Sequence, residues 1–353
     1  MIRGSTAAAR SPTSSDSLSR VRLLACALIL ASGCAGNVPP CDPLTTPGDY
    51  SCGMPGWEER GFALHLPPNF DTGSNFPVVL VLHGGASDAT KMRGYTCGER
   101  GGDRTGCLDD VAEREGFVTV YAEGTPTAGL SGIRAWNAGG GMNGFRCVSG
   151  PACRDGVDDI AFTRNLLDEL GRLFRVERTR VYVAGFSNGG AMAHRLACEL
   201  SDRFAAIAAV SGANQAAEVQ GCEPSRPVPI LQIHGSGDPC WLFTGGAGAC
   251  FEEEGEDYVG VSNSMTGWAR RHHCSLLPPM MDLLDDVDPG DETRVERSTW
   301  RGCDASLVLM KIGGGGHTWP SGEQFRPVSE VGRVSHDIDA NEQIWSFFKD
   351  RAL

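Results

Sequence analysis

Short apolar runs recur along this chain, bounded by glycine, proline or charged residues. Val78–Leu82, Phe117–Tyr121, Val181–Ala184, Ala205–Val210, Pro229–Ile233 and Leu307–Ile312 are apolar at successive positions rather than alternate ones. A strand carries that pattern when both faces of its sheet are covered, as in a mostly parallel sheet. Phe62–Leu66 stops at Pro67-Pro68 and is expected at a sheet edge. Between the runs, Leu108–Glu115, Asp158–Phe174, Ala191–Leu200, Tyr258–His272 and Asp339–Lys349 read as helices. Asp158 and Asp159 stand where a carboxylate caps the first turn of such a helix. Strand and helix in alternation predict an α/β fold, a mostly parallel central sheet with helices on both faces.

The first 57 residues break this rhythm. Arg3, Arg10, Arg20 and Arg22 precede the apolar run Leu23–Leu30, which is too short to span a bilayer. Residues 1–33 are therefore expected to be an export signal rather than part of the fold. Ala31-Ser32-Gly33-Cys34 resembles a bacterial lipobox, in which a lipidated Cys34 becomes the mature N-terminus. Ala31 stands where that pattern usually has leucine. Residues 34–57 then form a tether or a disulfide-pinned extension, and residues 58–353 a single catalytic domain.

Charge and cysteine content narrow the partners and the setting. The chain carries a net charge of −13, and loss of its leader, which is net +3, leaves −16. Nucleic acid is an unsuitable partner for such a surface. Of 14 cysteines, 12 remain once Cys26 and Cys34 are set aside, an even number suited to disulfides in an exported chain. Cys41/Cys52, Cys97/Cys107, Cys147/Cys153 and Cys240/Cys250 are near neighbours, and Cys198/Cys222 and Cys274/Cys303 complete six pairs. Spacing alone leaves that connectivity open. A zinc site is not expected, because no pair of C-x-x-C motifs is present. The acidic stretch from Asp282 to Glu292 lacks EF-hand spacing and reads as a solvated loop.

Chemistry concentrates at the ends of the apolar runs. Val181–Ala184 leads into Gly185-Phe186-Ser187-Asn188-Gly189 and then a helix. Strand, G-x-S-x-G, helix is the setting of a nucleophile elbow, which makes Ser187 a candidate nucleophile. In that architecture an acid and a histidine follow in order, each after a later strand. Pro229–Ile233 runs into His234-Gly235-Ser236-Gly237-Asp238, so Asp238 is the candidate acid. Leu307–Ile312 runs into Gly313–Gly316 and His317, the candidate general base. His83, His194, His234, His272, His273 and His336 are its rivals, and none fits the order as well. The oxyanion donors are expected from the N–H of Asn188 and from the backbone of Gly85 or Ala86, after the strand Val78–Leu82. Trp136, Asn137 and Trp319 are candidate substrate-binding residues; each tryptophan could equally pack loops together.

At these residues the chain resembles the exported polyhydroxybutyrate depolymerase-like and feruloyl esterases. The similar segments are Leu82–Gly85, Arg134–Gly139, Val157–Ile160, Gly185–Met192, Ile233–Asp238, Gly314–Pro320 and Asp337–Ala340. The resemblance spans roughly residues 58–350 and implies an α/β-hydrolase fold, a Ser187–Asp238–His317 triad, no cofactor, and a Cys274–Cys303 bridge. Two segments depart from it. Gly139-Gly140-Gly141-Met142 stands where relatives often carry a cysteine, and the Cys240–Glu256 insertion is longer and more acidic than usual. The expected activity is hydrolysis of carboxylic esters through an acyl-enzyme, with feruloyl- or acetyl-type esters of plant xylan as substrates. Polyhydroxybutyrate depolymerase is the alternative, and a non-catalytic surface-binding lipoprotein on the same fold is a third reading.

Overall fold

The computed structural model describes residues 38–100, 103–127, 132–250 and 257–353. The leader and Cys34 lie outside the described residues. At the centre is a ten-stranded sheet. Its strands, numbered in chain order, are β1 (Gly48–Gly53), β2 (Gly61–Leu66), β3 (Phe76–Leu82), β4 (Val118–Ala122) and β5 (Val176–Phe186). They continue with β6 (Ala206–Val210), β7 (Ile230–Gly235), β8 (Met280–Leu283), β9 (Arg294–Thr299) and β10 (Leu307–Gly313). The spatial order is β1-β2-β4-β3-β5-β6-β7-β10-β9-β8. The six strands from β4 to β10 are parallel, and two antiparallel strands flank them on each side.

The successive apolar positions have the reason expected of them. In β3 every residue is buried, and alternate side chains enter two different cores. Val78, Leu80 and Leu82 pack with Phe162 of α3 (Asp159–Leu173), Leu196 of α4 (Asn188–Glu199) and Trp268 of α5 (Val261–Arg271). Val79 and Val81 pack on the other face with Met92 of α1 (Ala89–Tyr95), Val111 of α2 (Leu108–Glu115) and Ile344 of α6 (Ala340–Phe348). Helices thus cover both faces of a mostly parallel sheet, the α/β-hydrolase arrangement.

Several details differ from the sequence expectations. β2 is not an edge strand, because β1 pairs with it antiparallel from Gly48–Leu66 to Gly53–Gly61. The outer sheet therefore begins inside the segment assigned to an N-terminal extension, which Cys41–Cys52 also ties down. The acidic stretch is only partly a loop: Asp282 lies in β8, and buried Asp291 accepts the N–H groups of Thr293 and His336. Asp158 caps α3 by accepting the Ala161 N–H, whereas Asp159 turns inward to a buried ion pair with Arg60 at 2.7 Å. The remaining disulfides are Cys97–Cys107, Cys147–Cys153, Cys198–Cys222, Cys240–Cys250 and Cys274–Cys303. Among the described residues, no helix is long and apolar enough to cross a membrane.

Candidate active site

Ser187 sits between β5 and α4 at φ 55° and ψ −118°, a left-handed conformation that a side-chain-bearing residue rarely adopts. The surroundings hold it there. Its N–H donates to the Val210 carbonyl at 2.8 Å, and its own carbonyl accepts from Ala191 at 3.0 Å. A Cβ on Gly185 would lie 2.1 Å from the Gly189 oxygen, and one on Gly189 would lie 2.2 Å from the Leu82 oxygen. The two flanking glycines are thus required by backbone crowding, which leaves no space for a methyl group.

Asp238 follows β7 and His317 follows β10, two neighbouring parallel strands. This adjacency brings together residues 79 positions apart: His317 Nδ1 lies 2.7 Å from Asp238 Oδ2. The other carboxylate oxygen accepts the N–H groups of Cys240 and Trp241, each at 2.8 Å. Burial works against the Asp238 charge, but adjacent His317 and the hydrogen bonds from His234 and His317 hold its carboxyl well below the usual carboxylate range. A carboxylate at Nδ1 fixes the imidazole tautomer and leaves Nε2 able to take a proton. Close backbone approach delivers His317, whose N–H donates to Val331 at 2.6 Å. A Cβ on the preceding Gly316 would fall 2.2 Å from that same Val331 oxygen.

The loop after β3 faces the elbow. Gly84, Gly85 and Ala86 line a cavity of about 370 Å³ together with Ser187 and His317. His83 anchors this loop from behind: its Nδ1–H donates to the Gly84 carbonyl at 2.7 Å, and its Nε2 accepts the Gly124 N–H at 2.9 Å. Burial pushes the His83 imidazole down to about 4, so it is neutral at pH 7 and keeps that tautomer. The structure thus gathers Ser187, His317, Gly85 and Ala86 around one cavity, with Asp238 directly behind the histidine.

Trp136, Asn137 and Trp319 are not on the cavity wall, which corrects the expectation that they bind substrate. Each supports a loop instead. Trp136 is fully buried, donates its indole N–H to the His83 carbonyl at 3.0 Å, and is gripped by the Asn188 side chain. Asn188 Oδ1 accepts the Trp136 N–H at 2.7 Å, while its Nδ2 donates to the carbonyls of Trp136 and Val148 at 3.0 and 2.8 Å. The Asn137 N–H donates to Asp159 Oδ2 at 2.6 Å, and Trp319 donates its indole N–H to Asn341 at 2.9 Å. The aromatic wall comes from Tyr95, Phe186 and Phe325. Phe325 lies 4.7 Å from Tyr95 and 5.9 Å from Phe186, centroid to centroid, and Phe186 lies 5.0 Å from His317. Sequence reasoning missed Tyr95 and Phe325; only Phe186, inside the elbow motif, carried a local signal.

Among the described residues, one cluster has metal-ligand types within reach of each other: Asp238, Cys240 and His317. The Cys240 sulfur is committed to Cys250, so the trio offers no thiolate. Of the rival histidines, His234 comes near the site, with Nε2 3.3 Å from Asp238 Oδ2. His273 pairs with Asp304 at the surface, and His194 and His234 lie in a buried hydrogen-bond chain.

Comparisons with known proteins give the family and the fold. Residues 56–279 match the family described as "Putative esterase". The chain is 30% identical over 300 residues to "Putative esterase NocK" of Nocardia uniformis subsp. tsuyamanensis, spanning 82% of this chain and 78% of that protein. It is 31% identical over 215 residues to feruloyl esterase B of Piromyces equi, spanning 60% of this chain and only 36% of that enzyme. By structure it is similar to the acetyl xylan esterase from Aspergillus awamori, with a TM-score of 0.51, 16% identity, and 82% and 94% of the two chains covered. A ferulic acid esterase from Anaeromyces mucronatus in complex with ferulic acid gives a TM-score of 0.50 at 14% identity over 87% and 90% of the two chains. The chain belongs to this α/β-hydrolase esterase family, related to the feruloyl and acetyl xylan esterases.

Proposed function

We propose that this protein is an exported serine esterase that cleaves hydroxycinnamoyl-type esters, such as feruloyl esters of plant cell-wall xylan. The observation that carries the reading is the 2.7 Å Asp238–His317 contact beside a strained Ser187 on one shared cavity. In this mechanism His317 Nε2 removes the Ser187 proton as Oγ attacks the ester carbonyl. Asp238 stabilises the imidazolium that forms. The oxyanion is received by the N–H groups of Asn188 and of Gly85 or Ala86, and His317 then protonates the departing alcohol. Water, activated by the same histidine, releases the acid from Ser187.

The cavity wall favours an aromatic acyl group. Tyr95, Phe186 and Phe325 provide ring faces and edges for offset or T-shaped contact. Burial pushes the Tyr95 phenol up, so its O–H stays protonated and able to donate. Six disulfides support the export reading.

The test compares methyl ferulate, p-nitrophenyl acetate and a polyhydroxybutyrate suspension as substrates of the protein and of Ser187→Ala. Turnover of methyl ferulate that disappears in Ser187→Ala is expected. Clearing of the polyester alone would replace the substrate assignment, and turnover independent of Ser187 would overturn the mechanism.

A further inference from the structure

Strand β7 places Gln232 and His234 on the same face of the sheet, two residues apart. Together with His194 of α4 and Trp268 of α5 they form a buried polar chain that runs to the back of Asp238. The Trp268 Nε1–H donates to His194 Nδ1 at 3.0 Å. His194 Nε2 lies 2.9 Å from Gln232 Oε1, and Gln232 Nε2 lies 3.4 Å from His234 Nδ1. His234 Nε2 in turn lies 2.8 Å from the Trp241 carbonyl and 3.3 Å from Asp238 Oδ2.

One end of this chain sets the direction of every link. An indole can only donate, so His194 Nδ1 accepts and His194 Nε2 carries the proton. Gln232 must then receive that proton on Oε1 and turn its NH₂ toward His234. His234 Nδ1 therefore accepts, and its remaining proton lies on Nε2, facing Asp238 and Trp241. Protonation of either histidine would set donor against donor. Burial itself pushes His194 down to about 4, which keeps it neutral at pH 7.

We infer that His234, polarised by the Trp268–His194–Gln232 chain, is a positioning residue that holds the Asp238 carboxylate in line with His317. This rests on the serine-esterase reading above. His234 acts twice on the same loop. Its Nε2–H donates to the carbonyl of Trp241, whose own N–H holds Oδ1, and Nε2 lies 3.3 Å from Oδ2, the oxygen that faces His317. In the mechanism proposed above, the cation that forms against Asp238 is the His317 imidazolium. The other groups near these rings are known. Arg326, Glu330 and Tyr95 line the cavity with His317, and Lys311 lies 5.4 Å from the Phe243 ring that packs on His234.

The experiment uses the full chain with His234→Phe, His234→Gln and Trp268→Phe, beside the parent and Ser187→Ala. Rates on p-nitrophenyl acetate are followed against pH, and the downfield proton resonance of His317 Nδ1–H is recorded without substrate. Circular dichroism gives the folded fraction. His234→Phe is expected to lower kcat about tenfold to a hundredfold with little change in KM. Its acid limb should move to higher pH, since Asp238 with one donor fewer attracts the imidazolium more strongly. His234→Gln, which returns an N–H, should recover most of the rate. Trp268→Phe should move the limb in the same direction by a smaller amount. A rate loss that tracks the folded fraction with the limb unmoved, or His234→Gln no better than His234→Phe, overturns the inference. The Nδ1–H resonance distinguishes the two failures. If turnover never depends on Ser187, the esterase reading fails, yet a resonance unchanged in His234→Phe separately refutes the positioning role.

Discussion

Asn188 performs two separable tasks, which makes it the most informative residue to change. Its backbone N–H is the proposed oxyanion donor, and its side chain binds the Trp136 and Val148 backbone. Asn188→Ala keeps the first task and removes the second. The buried Trp136 N–H and Val148 carbonyl lose their partner, while the Trp136 carbonyl keeps the Ala138 N–H at 2.9 Å. At about 1–3 kcal/mol for each orphaned group, with some recovered by entering water, the cost is about 2–5 kcal/mol. That is a large share of the ~5–15 kcal/mol that holds a typical domain together. Activity should fall as well, because Trp136 carries the His83 carbonyl and hence the Gly84–Ala86 loop. A displacement of that loop by about an ångström is worth about a hundredfold in rate.

Asn188→Asp sharpens the test. The carboxylate still accepts from Trp136, but its second oxygen faces two carbonyls, at the 3.0 and 2.8 Å positions now held by Nδ2. Such a group favours protonation, so its folded pKa lies above its unfolded value of about 3.9. Its contribution is therefore fully present below the unfolded pKa and lost as pH rises through the folded one. Urea unfolding at acidic and alkaline pH should show the gap between Asn188→Asp and the parent narrowing in acid, with the Asn188→Ala gap constant. Asn188→Ala within about 0.5 kcal/mol of the parent, the range of an ordinary surface change, would refute the reasoning.

Two further outcomes are expected. Phe325→Ala should raise KM for methyl ferulate about tenfold, the ~1.4 kcal/mol of one aromatic contact, and leave p-nitrophenyl acetate almost unaffected; equal losses on both esters would remove Phe325 from the acyl site. His83 and His194, fully buried and pushed down from 6.5 to about 4, should each cost stability on the order of 3 kcal/mol as pH falls across that window. The sign follows from the unfolded chain binding protons first. A urea midpoint that stays flat from about pH 7 to pH 4 would contradict it. The Asp238 contribution has its own window, present above the ordinary carboxylate pKa and lost only below it.

What could be read from the sequence is what neighbouring residues enforce. The parallel strands were legible because burial on both faces writes itself as an uninterrupted apolar run, as in Val78–Leu82. The elbow was legible because Gly185 and Gly189 stand within two residues of Ser187 and crowd the same turn. The outer strands were not. β9 buries Val295 and Ser298 but exposes or half-buries its other residues, so Arg294–Thr299 reads as polar sequence. β1 owes its place to β2 and to Cys41–Cys52 rather than to its own pattern.

The same distinction explains why the sequence left the role of the two tryptophans open. Trp319 follows His317 by two residues, and Trp136 reaches the loop after β3 through the His83 carbonyl, as substrate-binding aromatics would. Their orientation is decided by partners far along the chain: Asn188 lies 52 residues from Trp136, and Asn341 lies 22 from Trp319. Each indole N–H is satisfied inside the protein, which turns the ring away from the cavity and makes it a support. The true wall, Tyr95 and Phe325, meets across 230 residues with nothing local to mark it. The candidate chemistry was therefore legible where it depends on backbone geometry, and the acyl pocket was not, because it is built from side chains that only tertiary structure brings together.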